Sequence, residues 1–261
     1  MSKREQHTLD VWENFWNPDT IDQVYSNSAR IIGQIQSLTE LEGKRVIEIG
    51  AGSGRDGFKL VDLGAMVVLL DYADNALKVI KHLSRKLDKP VFLVKGDAFN
   101  LPFKSDCMDI VYHQGLLEHF SNPEDILKEN YRITSPNGYT LADVPQKYHL
   151  YTLIKHILIL LDKWFAGWET EFTINQLDAL FRRQGFRIHY RYGSWMKPGL
   201  FYRALRKALL KVGIQAPAFP PKLPFLTMGF RAFAKWFQTC SLSFYTFMDI
   251  GVIGTKDGKA Q

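Results

Sequence analysis

The run Val46-Ile47-Glu48-Ile49-Gly50-Ala51-Gly52-Ser53-Gly54-Arg55-Asp56-Gly57 carries the clearest chemistry in this chain. Val46, Ile47 and Ile49 are β-branched and read as a buried strand. Gly50, Gly52 and Gly54 then remove three side chains where the chain turns into a helix, so a ligand can approach bare backbone. Glu48 places a carboxylate inside an apolar strand, where it needs a partner, either a ligand or a backbone amide. Such a turn at the carboxyl end of the first strand of a parallel sheet suits a nucleotide-like ligand.

The spacing narrows the choice. A dinucleotide fingerprint is G-x-G-x-x-G, and its third glycine would fall at Arg55. No P-loop Gly-Lys-Ser/Thr occurs in the chain. A second apolar strand, Met66 to Leu70, ends in Asp71. An acid about 20 residues past the glycines is placed to accept hydrogen bonds from ribose hydroxyls. Tyr72 could lie against an adenine ring.

These residues need a frame. An aromatic arm with Val11, Trp12, Phe15 and Trp16 precedes a helix expected from about Asp19 to Leu38. Strands are expected at 44–49, 66–71, 91–95, 107–112, 138–144 and 186–192, with helices at about 54–63, 74–87 and 123–134. This alternation implies a parallel sheet with helices on both faces. Asn122-Pro123-Glu124-Asp125 reads as a helix start. Thr173-Ile174-Asn175-Gln176 reads as a capping box, and Gly185 as the end of the same helix.

The segment E-I-G-A-G-S-G, then Asp71, Gly96-Asp97-Ala98 and Leu101-Pro102-Phe103, resembles the class I S-adenosylmethionine-dependent methyltransferases. More narrowly, it is similar to the small-molecule branch related to the ubiquinone/menaquinone methyltransferases. Asp109 to Phe120 and Ser135 to Leu141 fit that family's fourth and fifth strands, so the resemblance covers roughly residues 40–145.

It implies an α/β fold: a three-layer, doubly wound, seven-stranded and mostly parallel Rossmann-like sheet. Strand seven, placed at Phe244 to Thr255, would be antiparallel. A helical N-terminal arm (1–42) would precede the methyltransferase domain (43–261). Helical insertions after strands five and six (about 146–170 and 194–242) would form a substrate cap. The implied cofactor is S-adenosylmethionine, bound by Glu48, Gly50, Gly52, Ser53, Gly54, Asp71, Tyr72, Asp97, Ala98, His113 and Gln114. Asp97 and Ala98 would face the adenine, and His113 to Gly115 the methionine part.

The reaction expected is attack of an acceptor oxygen, nitrogen or carbon on the sulfonium methyl, which needs alignment and, for a hydroxyl or acidic carbon, a base. His113, His119 and His149 are the candidates, with Asp143 behind. Glu118-His119 resembles a metal-binding pair of some quinone-precursor O-methyltransferases. In those, an acid stands three residues earlier; here it is Gly115, so no metal is expected and a structural role for the pair is open. His113-Gln114-Gly115-Leu116 lacks the Asp/Asn-Pro-Pro-aromatic run of nucleic-acid amino-methylases.

Charge marks a second feature. The 261 residues carry a formal net charge of +6, yet residues 197–240 hold eight basic residues and no acid. From Leu200 to Val212 the apolar residues recur at helical spacing with the basic residues mainly opposite. Basic amphipathic helices with aromatic residues suit an anionic membrane surface; the alternative is a cap whose apolar face packs on the core. Aromatics segregated from the basic groups argue against a nucleic-acid partner. The two cysteines, Cys107 and Cys240, fit a reducing compartment. No signal segment and no uncharged apolar run of membrane-spanning length is visible. Leu150 to Trp168, broken by charges, is expected to be a soluble helix. The expected protein is cytoplasmic, peripheral to membrane if the basic segment binds lipid, and methylates a small, largely apolar or lipid-linked acceptor. A polar metabolite or glycan acceptor, and a cofactor-binding subunit without transfer activity, are the alternatives.

Overall fold

A computed structural model of the chain describes residues 10–16, 29–161, 164, 169–217, 219, 233–234, 236–238 and 240–258. A short helix, α1 (residues 10–15), is followed by α2 (Ala29–Gln36). The α/β unit then runs β1 (Arg45–Ile49), α3 (Arg55–Asp62), β2 (Met66–Asp71), α4 (Asp74–Leu87), β3 (Phe92–Lys95) and β4 (Met108–Gln114). After α5 (Pro123–Ile133) and β5 (Thr134–Pro145) come α6 (Leu150–Leu160), α7 (Ile174–Arg183), β6 (Arg187–Ser194), α8 (Leu200–Lys211) and β7 (Asp249–Thr255).

The strands form one sheet in the order β3-β2-β1-β4-β5-β7-β6. All neighbours are parallel except β7, which runs antiparallel to both β5 and β6. The seven-stranded, doubly wound sheet expected from the sequence is therefore present. The order reverses between β1 and β4, and a ligand crevice opens at the carboxyl ends of strands at such a switch point.

The central strands are apolar on both faces because helices cover both. Ile47, Ile49, Val111 and Ala142 pack into one core layer, and Val46, Val67, Leu69, Ile110 and Leu141 into the other. Two strand starts differ from expectation. β5 begins four residues earlier in a bulged register, from Thr134 rather than Gly138. β7 begins at Asp249, because Ser241–Tyr245 form a 3-10 turn instead. Of the helix expected at 19–38, residues 19–28 lie outside the described residues. The remainder, α2, buries Ile31 and Ile35 in the same core layer as Val46.

α2 is held to the sheet by charge as well as packing. Arg30 Nε lies 2.8 Å from Asp143 Oδ2 on β5, and its Nη1 pairs with Asp249 on β7 and donates to Ser194 Oγ on β6. Burial pushes the Asp143 carboxyl up to about 7, and the Arg30 guanidinium opposes that rise. Removing one partner of such a buried set strands the others without compensation. Arg30→Ala should destabilise the fold by about 3–5 kcal/mol, read as a lower urea midpoint at unchanged slope; a loss under about 1 kcal/mol would show that the clamp contributes only as a surface pair.

Candidate active site

The turn after β1 takes a path that side chains resist: Gly50, Gly52 and Gly54 have φ of 68°, 54° and 66°. Their reasons differ. A Cβ on Gly54 would fall 2.6 Å from Leu69 Cδ1, so this glycine lets α3 lie close on β2 and serves packing rather than ligand approach. A Cβ on Gly52 would fall 2.2 Å from Trp16 Cζ2, and one on Gly50 2.9 Å from Leu116 Cδ1. Gly50 thus makes room for Leu116 and the buried Gly52 for Trp16, with Ser53 half-buried beside them.

Asp71 fixes the turn from the next strand. Its Oδ2 accepts the Gly52 N–H at 2.8 Å and its Oδ1 the Ala73 N–H at 2.9 Å. Burial raises its carboxyl while these backbone donors pull it down. Each carboxylate oxygen has lone pairs beyond the one engaged, so ribose hydroxyls could still be accepted. Tyr72, largely exposed, follows at the same strand end. After β3, Asp97 Oδ1 accepts the Phe99 N–H at 3.0 Å, which shapes the turn carrying the buried Ala98.

Two residues expected to touch the cofactor have polar partners within the protein. Glu48 Oε2 accepts the Tyr112 hydroxyl at 2.8 Å, and Gln114 Nε2 donates to Asp56 Oδ2 at 2.8 Å. Burial, reinforced by Asp56, raises Glu48 well above the usual carboxylate range. The buried acid of β1 thus ties β1 to β4 beneath the turn. Its partner is a tyrosine two strand positions before Gln114, which spacing along the chain could not name.

The histidines separate by environment. His113 is completely buried and neither ring nitrogen has a protein partner; burial drives it down to about 3. It is a neutral core group and offers no base to an acceptor. His149 is the N-cap of α6, its Nδ1 accepting the Tyr151 N–H at 3.1 Å. His119, in the 3-10 turn after β4, stays half-buried at the crevice with Nδ1 unpartnered, and burial holds it below the ordinary histidine value. Glu118 beside it is buried and raised well above its usual range for the same reason. Among the described residues, no three His, Cys, Asp or Glu side chains are grouped to hold a metal ion.

Sequence reasoning passed over the arm's role here. Trp16 lies on Gly52, and the edge of Trp12 meets the His119 ring at 5.0 Å. Glu13 accepts the Asp74 and Asn75 N–H groups at 2.6 and 2.9 Å, capping α4, whose own N-cap, Ala73, has no side chain able to do so. The three-residue spacing of Trp12 and Phe15 was visible; the target of Glu13 was not, because a cap 61 residues away is a tertiary contact.

The sheet order and the glycine turn define the class I methyltransferase fold. Residues 47–142 match the family described as a methyltransferase domain. The chain is 32% identical over 104 residues to the demethylmenaquinone methyltransferase of Renibacterium salmoninarum, covering 40% of this chain and 42% of that protein. It is 27% identical to the Lactococcus lactis demethylmenaquinone methyltransferase over 58% of this chain and 69% of that one. The magnesium protoporphyrin IX methyltransferase of Synechocystis PCC 6803, solved with SAH bound, superimposes with a TM-score of 0.58 at 11% identity, covering 88% of this chain and 81% of that one. This chain therefore carries a class I S-adenosylmethionine-dependent methyltransferase domain that resembles the quinone methyltransferases. Its residues fit that cofactor: a side-chain-free, positive-φ turn at Gly50 to Gly54, a carboxylate with spare lone pairs at Asp71, and aromatic faces suited to a sulfonium cation.

Asp71→Ala should weaken S-adenosylmethionine binding more than tenfold, since it removes both the ribose acceptor and the support of the Gly52 N–H. Calorimetry reads this directly; unchanged affinity would take Asp71 out of the site.

Proposed function

We propose that the protein moves the methyl group of S-adenosylmethionine to a small, largely apolar or lipid-linked acceptor, with His119 taking the acceptor's proton. The observation that carries this reading is the setting of His119: an unpartnered Nδ1, kept neutral by burial, under the edge of Trp12 at the carboxyl end of β4. The cofactor supplies an electrophilic methyl on a cationic sulfur. The chain aligns the acceptor, and Trp12, Phe15 and Trp16 present the apolar wall that excludes water from it. The names of the two curated relatives, both demethylmenaquinone methyltransferases, support an apolar acceptor ring.

A base must be unprotonated to act. Since burial lowers His119 from 6.5, its acid form accumulates only below that pH. Turnover should therefore be flat from about pH 6.5 to 8 and fall only in more acid solution. His119→Ala should lower kcat by about 10²–10⁴ while leaving S-adenosylmethionine affinity intact. A variant that turns over normally would remove His119 from the chemistry. Among quinone precursors, polar metabolites and sugars offered as acceptors, the apolar phenols and enols should be methylated fastest; a sugar preference would overturn the acceptor assignment.

A further inference from the structure

α6 is built with its polarity reversed. Its lysine, Lys155, is 1% exposed, with Nζ 2.6 Å from Glu169 Oε2 and 3.1 Å from Glu171 Oε1. Glu169 is held in turn by the Trp164 indole N–H at 2.8 Å. A surface lysine ordinarily keeps its ammonium in water, and burying it among carboxylates carries a desolvation cost. The opposite face holds Leu150, Leu153, Ile154, Ile157 and Leu160, with Leu161 just beyond, all exposed and Leu160 by 85%. No acid occurs between residues 150 and 161. A row of this kind marks an interaction surface, unlike apolar side chains scattered singly.

α8 also leaves apolar side chains outward, beside the exposed Lys207 and Lys211. The Arg203 and Arg206 guanidiniums donate to the Pro198 and Ala216 carbonyls, whereas Phe201 is 83% exposed and Leu205 lies on the same outward face. None of its residues is buried. The apolar face was expected either to meet lipid or to pack on the core, and the core does not take it. Both helices follow the carboxyl ends of parallel-running β5 and β6, the end of the sheet that carries the glycine turn and His119.

We infer that α6 and α8 together dock the protein on an anionic lipid bilayer. The α6 face enters the acyl boundary, and the exposed Lys197, Lys207 and Lys211 meet the headgroup phosphates. Charge selects this occupant over a second copy of the chain. The segment holds eight basic residues and no acid, so two copies joined here would bring like charges together, whereas an anionic surface complements them. Sequence patterning put the lipid contact on the basic insertion alone and treated 150–168 as an ordinary soluble helix; the structure transfers the apolar part of the contact to α6. No helix among the described residues is long and apolar enough to cross a membrane, which is consistent with docking in the surface plane.

The test is sedimentation of the full chain with vesicles of phosphatidylglycerol and phosphatidylcholine in equal parts, and of phosphatidylcholine alone, at about 0.1 M salt. The wild type should sediment with the anionic vesicles and less with the neutral ones. The triple variant Leu153→Gln/Ile157→Gln/Leu160→Gln should lose at least about fivefold in bound fraction while keeping its helical circular dichroism and S-adenosylmethionine affinity. The inference is overturned if the wild type stays in the supernatant, if the variant binds equally, or if the wild type is a dimer that the variant dissolves. Failure of the methyl-transfer reading would look different, as absent turnover with vesicle binding intact.

Discussion

The carboxyl end of this sheet depends on one carboxylate. Asp71 closes β2 and bonds two backbone amides, Gly52 on the preceding turn and Ala73 at the start of α4. Those bonds hold the glycine turn at positive φ, where the absence of side chains leaves room for Leu116 at Gly50 and Trp16 at Gly52. Beneath the turn, Glu48 and Tyr112 link β1 to β4, and Asp56 and Gln114 link α3 to β4. Each bond satisfies a buried polar group that would otherwise cost stability. The network therefore fixes the turn's position more than it adds net stability.

The arm completes what the sheet leaves open. Trp16 lies on Gly52, Trp12 on His119, and Glu13 caps α4. One short arm thus touches both the glycine turn after β1 and the 3-10 turn after β4. Behind it, α2 is locked to β5 and β7 by Arg30. The same end of the molecule carries α6, whose lysine is buried and whose aliphatic face points outward, and α8, none of whose residues is buried. The glycine turn, His119 and the apolar surface lie at one end because strands in parallel deliver all their following loops there.

Much of the frame was legible along the chain. Strands show as short β-branched runs, helices as 3.6-residue periodicity, and the capping box at Thr173 appears as read, with Gln176 bonding back to the Thr173 N–H at 2.9 Å. The glycine spacing and Asp71 were legible for the same reason: they are local, and their conformational demands are written in residue type. Three histidines looked alike in sequence. Only burial and partners told them apart, with His113 sealed in the core, His149 used as a cap and His119 left at the crevice.

The amino-acid sequence by itself determined the order of strands and helices, the left-handed glycine turn, the acid at the end of β2 and the uneven distribution of charge. These follow from backbone sterics and from hydrophobic periodicity, which act over a few residues. Tertiary structure alone decided which face of each helix met the core. By periodicity Lys155 belongs to a surface helix, but Glu169 and Glu171 draw it inside and turn six aliphatic side chains out. Likewise Glu48 could have served a ligand, until folding set Tyr112 beside it. A buried charge takes whichever partner the fold places within hydrogen-bond reach, and that partner is chosen by packing between segments far apart in the chain.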